Sequence, residues 1–134
     1  MKTRIIFLLA TILLGVLTAV TSIAADAVAV KHVDAQGAAK LLKEDPKVVV
    51  LDIRTPKEFA EGHMKGAKNI DFNADDFAAS LKKLETDKTY LVHCASGGRS
   101  TRSLEQFKKL GFKSVVHLDG GFKGWEKAGQ PVEK

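Results

Sequence analysis

The stretch whose residue types and spacing can do chemistry is Leu91-Val92-His93-Cys94-Ala95-Ser96-Gly97-Gly98-Arg99-Ser100. Cys94 is the only cysteine in the chain, which excludes an intrachain disulfide and a multi-cysteine metal site. A buried-strand pattern ends at His93, and a helix pattern begins near Gly98 to Ser100. Cys94 therefore opens a loop at the carboxyl end of a strand, where open α/β sheets hold their ligands. Gly97 and Gly98 are expected to take positive φ and let the backbone turn tightly. Such a curl points successive N–H groups inward as an anion-binding nest. The helix that follows adds its positive end, and Arg99 adds a full charge. A free thiol has a pKa of about 8.5, and surroundings of this kind lower it to roughly 3.5–7.5. Cys94 is expected to be a thiolate nucleophile, with donors around it that also stabilise developing negative charge. A buried structural cysteine is the competing reading, and it leaves the Gly-Gly-Arg that follows unexplained.

The elements that must position this loop are short. Val48-Val49-Val50-Leu51, Tyr90-Leu91-Val92-His93 and Val115-Val116-His117-Leu118 are β-branched, apolar runs of strands buried on both faces. Ala29 to Val33 reads as an edge strand. Asp34 can cap a helix over Ala35 to Lys43, with Ala38, Leu41 and Leu42 on one face. Phe77, Leu81 and Leu84 recur at helical spacing, as do Leu104, Phe107 and Leu110, and Gly111 is placed as a stop. Strands alternating with helices predict one α/β domain, a small and mainly parallel sheet covered by helices on both faces.

Residues 1–25 carry Lys2, Arg4 and no acid, followed by an apolar run from Ile5 to Val20 and the small residues of Thr21 to Ala25. This is the layout of a secretory signal peptide. Small residues at −3 and −1 fit a cut after Ala24 or after Ala27. The expected organisation is a signal peptide over 1–25 and a single domain over 26–134. The protein is expected to be exported, with no stable membrane insertion once the leader is removed. The alternative is an inner-membrane anchor formed by the uncleaved N-terminal helix, since the run approaches the length of a span. The chain has 134 residues, formal charge +5, 45% hydrophobic and 28% charged residues. Without the leader the charge falls to +3 and the hydrophobic share to about 39%. The remaining lysines alternate with acids and are not interleaved with aromatics, so no nucleic-acid partner is expected.

Cys94 to Ser100, C-A-S-G-G-R-S, resembles the active-site loop of the rhodanese-like (sulfurtransferase) family. Other landmarks follow in order. Val50 to Arg54 is similar to the family's D-V-R strand, and Glu58 to Ala67 to its E-[YF]-x-x-G-H-I-x-G-A motif. Leu110-Gly111-Phe112 and Leu118 to Trp125 are similar to L-G-[FY] and L-x-G-G-x-x-x-W. The likeness spans roughly residues 30 to 132, and an exported single-domain chain resembles the phage-shock protein E type of periplasmic rhodanese. The resemblance implies a thiosulfate:cyanide-type sulfurtransferase without a cofactor. Cys94 would take sulfur from a donor such as thiosulfate as a persulfide and pass it to a thiophilic acceptor, cyanide or a thiol. It also implies that the N–H groups of Ala95, Ser96, Gly97, Gly98, Arg99 and Ser100 hold the sulfurs, and that Arg99 binds the donor's sulfonate. The alternatives are a persulfide carrier or binding module that delivers sulfur to a partner protein, and a cysteine phosphatase. Phosphatase loops have five residues between cysteine and arginine; here there are four, Ala95 to Gly98.

One position departs from the family. Many members carry Arg or Lys directly after the cysteine, and this chain has Ala95. Lys65, Lys123 and Lys127 are candidate substitutes for that cation. Asp52 and Arg54 fall on the same sheet edge as Cys94 and either shape the pocket or form a structural pair. His63 is a candidate base, with bracing of its own loop the reading favoured by the family pattern. His32, His63, His93 and His117 are spread one per segment, without the close spacing typical of zinc sites, so no metal is expected. Asp119-Gly120-Gly121 is a candidate pocket rim, and Trp125 is expected to pack the last helix.

Overall fold

The computed structural model describes residues 28–134. The expected leader, its cleavage points and the membrane-anchor alternative lie outside the described residues. Seven strands and five helices follow in the order β1 (Ala29–Val33), α1 (Ala35–Glu44), β2 (Val49–Asp52), α2 (Pro56–Glu61), β3 (His63–Met64), β4 (Lys68–Asn69), α3 (Phe77–Lys82), β5 (Thr89–His93), α4 (Gly98–Lys109), β6 (Ser114–Leu118), α5 (Gly121–Lys127) and β7 (Val132–Glu133). β1, β6, β5, β2 and β4 form one sheet in that order, with every pair parallel. β3 and β7 make a separate antiparallel pair. The expected mainly parallel sheet is present. Its second strand starts at Val49 rather than Val48 and ends on Asp52. The short elements α2, β3, β4 and β7 carry too few residues for a periodic pattern to be read.

The sheet is covered on both faces because its strands are apolar on both. Val50, Leu91 and Val116 stand in register across β2, β5 and β6 and pack with Ala38, Phe122 and Trp125 of α1 and α5. One residue along each strand the direction reverses. Leu51 and Val92 pack with Phe77, Leu81 and Phe107 of α3 and α4. His117 is in register with Val92 and therefore faces α4. Cys94, two residues after Val92, packs in the same α4-side cluster.

Local chemistry starts the helices. The Asp34 carboxylate accepts from the Gly37 N–H at 2.8 Å, as expected of an N-cap. Thr55 and Glu58 form a capping box at α2, with Pro56 in its first turn. Glu58 Oε2 accepts from Thr55 N at 3.0 Å and Thr55 Oγ1 at 2.9 Å. That box fixes where Glu58 stands, and Glu58 reappears at the site.

Candidate active site

β5 delivers Cys94 to the carboxyl edge of the sheet, and the chain curls there before α4 starts at Gly98. The curl depends on two glycines. Gly97 has φ of 106°, and a Cβ there would stand 2.5 Å from the Asp119 carbonyl oxygen. Gly121 has φ of 60°, and a Cβ there would stand 2.6 Å from the Ala95 carbonyl group. Between them the backbone locks onto α5: Phe122 N donates to Cys94 O at 2.8 Å and Lys123 N to Ala95 O at 3.0 Å. The Asp119-Gly120-Gly121 segment thus braces the loop from below. Gly98 departs from expectation. It has no positive φ and is the first residue of α4 with open space around it, since one left-handed residue suffices for the turn.

The loop is a cradle for sulfur. Gly97 N donates to Cys94 Sγ at 3.2 Å and Ser100 N at 3.4 Å, and Ser100 Oγ lies 3.3 Å away. Cys94 itself is only 2% exposed. Burial pushes the thiol pKa up. The Ser100 hydroxyl and the N–H groups of Ser100, Gly97 and Ser96 outweigh that and hold it below its ordinary value. The hydrogen-bond donors around this sulfur favour its thiolate form. Ser96, Gly97 and Ser100 act on it directly, whereas Ala95 contributes its carbonyl to α5 and Gly98 begins a helix.

Arg99 stands beside this cradle in a two-pronged pair with Glu58, 2.9 Å from Nη1 to Oε2 and 2.8 Å from Nη2 to Oε1. Hydrogen bonding to Arg99 pulls the Glu58 carboxyl down from 4.5 to about 2. Glu58, and after it the Cys94 sulfur, push the guanidinium pKa up. The cation expected to meet a donor's sulfonate is thus already engaged by a carboxylate.

Next to the loop lies an open cleft of about 360 Å³ lined by residues that include Glu58, Glu61, Ala95, Phe122, Lys123 and Glu126. Of the three lysines considered in place of the missing cation, Lys123 lines this cleft, whereas Lys65 lies by Leu42, Met64 and Pro131. Lys127 is not among the cleft residues.

Asp52 and Arg54 form a buried pair, 0% and 4% exposed. Arg54 Nη2 reaches Asp52 Oδ2 at 2.6 Å and the Gly62 carbonyl at 2.7 Å. Its guanidinium carbon sits 3.9 Å over the Phe122 ring. They tie β2, the α2–β3 turn and α5 together, and Arg54 also lines the cleft. His63 also braces. Its ring stacks on Phe59 at 3.9 Å, and Nδ1–H donates to the Phe59 carbonyl at 3.0 Å. Trp125 is buried against α1 and donates to Pro131 O at 2.8 Å.

Two residues that sequence spacing left apart come together here. His32 and His117 are register partners on β1 and β6, and both donate from Nδ1 to Asp119 Oδ1 at 2.7 Å. Among the described residues these three form the one group of three or more such side chains, their atoms within 4.8 Å of one another. Eighty-seven residues separate His32 from Asp119, so no local spacing could reveal the group. The alternation of β6, which sends His117 toward α4, is the signal that carried half of it.

The Rhodanese-like domain family model matches residues 34–128. The Probable adenylyltransferase/sulfurtransferase MoeZ of Mycobacterium tuberculosis is 38% identical over 85 residues, covering 63% of this chain and 22% of the relative. The chain thus spans about a fifth of that protein's length. Thiosulfate sulfurtransferase GlpE of Vibrio cholerae is 30% identical over 102 residues, 76% of this chain and 93% of the relative. A crystal structure of a rhodanese-related protein from Thermoplasma volcanium superposes with a TM-score of 0.68 at 32% identity, covering 77% of this chain and 97% of that one.

Proposed function

Because the chain belongs to the rhodanese-like domain family, we propose that it is a sulfurtransferase that carries sulfane sulfur on Cys94. The observation that carries the reading is the cradle itself: two N–H groups and one hydroxyl within 3.4 Å of a buried cysteine sulfur. In the first displacement the thiolate attacks the outer sulfur of a donor such as thiosulfate. The donor's S–S bond breaks, sulfite leaves with the electron pair, and Cys94 becomes a persulfide. In the second, a thiophilic acceptor (cyanide or a thiolate) attacks the terminal sulfur. Thiocyanate or a persulfide product leaves, and the thiolate returns. The same amides face negative charge on sulfur before, between and after the two steps, so the site need not reorganise. A loop with four residues between Cys94 and Arg99 argues against the phosphatase alternative.

The acidic rim favours a second reading, transfer between proteins with little free turnover. Glu58, Glu61 and Glu126 line the cleft against Lys123 and Arg54, and Glu58 is paired with Arg99, so Glu61 and Glu126 carry the excess acid. Arg54 is neutralised by Asp52, and Ala95 stands where many relatives carry a cation. Such a rim suits a singly charged persulfide on a partner protein better than a dianion. We place this chemistry in the exported, periplasmic protein, after removal of residues 1 to about 25; the mass of the exported N-terminus tests that.

Wild type and Cys94→Ser, assayed for thiocyanate formation from thiosulfate and cyanide and for a gain of about 32 Da after donor treatment, decide between the readings. A labile sulfur on wild type alone is expected. Turnover to thiocyanate supports the enzyme, and loading without turnover supports the carrier. Equal behaviour of the two proteins would end the assignment of Cys94.

A further inference from the structure

The cradle around Cys94 continues into a chain of hydrogen bonds that reaches solvent. Ser100 Oγ lies 3.3 Å from Cys94 Sγ and 2.7 Å from His117 Nε2. His117 Nδ1 lies 2.7 Å from Asp119 Oδ1, and His32 Nδ1 approaches that same oxygen at 2.7 Å. The inner members are sealed, Ser100 at 0% and His117 at 2% exposure. The outer ones are open, with the Asp119 and His32 side chains 55% and 53% exposed.

Proton counting gives this chain a direction. His117 and then His32 hold the Asp119 carboxyl below its usual range, so it is an acceptor and His117 Nδ1 carries a proton. When that ring is neutral, its Nε2 is a base aimed at Ser100. Ser100 has a single hydroxyl proton, and the Gly97 carbonyl, 3.2 Å away, can only accept. While that proton points at the short contact to His117, none is left for the sulfur. If His117 becomes imidazolium, Nε2–H donates to Ser100 Oγ and the hydroxyl proton turns to the sulfur.

We propose that Ser100 and His117 form a proton relay that ionises Cys94, with Asp119 and His32 as its solvent end. The S–H proton passes to Ser100 Oγ as the Ser100 proton passes to His117 Nε2. One S–H and one O–H bond break, one O–H and one N–H bond form, and the products are a thiolate and an imidazolium. Ser100 then donates to the thiolate and accepts from His117, so both new charges are hydrogen-bonded. Return of the proton to solvent past Asp119 and His32 readies the relay. The proposal rests on Cys94 as the reacting sulfur. Ser100 touches the reacting sulfur itself, and His117 is a positioning residue that acts through it.

The other ionisable groups facing His117 are few. β1 contributes His32, its ring centroid 5.2 Å away; Cys94 follows β5 on the same face, and the nearby His93 stands on the other face of the sheet. Burial pushes the His93 pKa down, and Nδ1–H donates to the Cys94 carbonyl at 3.0 Å, so this ring is neutral. Behind it, Asp52 and Arg54 neutralise each other. α4 presents the uncharged Ser100.

Two titrations test the relay. The first follows the rate of Cys94 alkylation by iodoacetamide against pH in wild type, His117→Gln and Ser100→Ala. Each variant is expected to raise the midpoint by about one unit, tenfold in thiolate at a pH below both midpoints. The second follows the His117 imidazole by NMR before and after Cys94 is alkylated in wild type. Coupling is reciprocal, so loss of the thiolate should lower the His117 midpoint by a similar amount. A packing role would change stability and leave both midpoints in place. Unmoved midpoints in both experiments overturn the proposal. The NMR arm needs no variant, so a misfolded His117→Gln does not blunt it. Neither readout measures sulfur transfer, so the relay can fail while the sulfurtransferase stands, and the reverse.

Discussion

Arg99 and Glu58 face each other end to end, with two parallel N–H···O bonds of 2.9 and 2.8 Å joining the start of α4 to the first turn of α2. A carboxylate so placed competes with any anionic donor for the guanidinium beside the sulfur. Glu58→Gln should release Arg99 and lower the KM for thiosulfate by about two- to fivefold, the scale of a part-exposed ion pair. Steady-state kinetics with thiosulfate check it; a KM that rises would mean that Glu58 positions Arg99 for the donor instead.

The same pair sets an acid limit. Arg99 holds the Glu58 carboxyl at about 2 against an ordinary 4.5. A depressed carboxyl contributes stability that is complete above 4.5 and is lost as pH falls through 2. Glu58 is a third exposed, so solvent screens part of the effect. The melting-temperature gap between wild type and Glu58→Gln should be constant above about pH 5 and close toward pH 2. A gap independent of pH would show that the pair is not coupled to folding.

Ala95 lies on the cleft rim, where a longer cationic side chain could reach a bound anion. Ala95→Arg should lower the KM for thiosulfate by about two- to fivefold and leave kcat nearly unchanged, the signature of binding gained equally in ground and transition states. Unchanged KM would show that charge at the rim does not limit donor use.

Under the cleft, Asp52 is fully buried against Arg54. Removing one partner of such a pair leaves the other charge without compensation. Asp52→Ala is expected to lose about 3–5 kcal/mol of stability in urea unfolding. A loss below about 1 kcal/mol would mean that Arg54 finds new partners in the Gly62 carbonyl and solvent.

Much of this protein is legible in its residues because the signals are local. β-branched runs specify strands buried on both faces, Asp34 starts a helix by one side-chain hydrogen bond, and a lone cysteine between a strand and Gly97-Gly98-Arg99 marks the site. Gly97 must be glycine for the curl around the sulfur, as its φ and the nearby Asp119 carbonyl require. What the local signals leave open is the set of partners. Arg99 meets Glu58 across 41 residues, Ser100 meets His117 across 17, and His32 meets Asp119 across 87. Strand order and register decide those meetings: β6 lies between β1 and β5, which aligns His32 with His117 and turns His117 toward α4. A periodic pattern tells each strand which face is buried, not which strand stands beside it. The proposed nucleophile is therefore written in the chain, and the groups that stand around it are assembled only by the sheet.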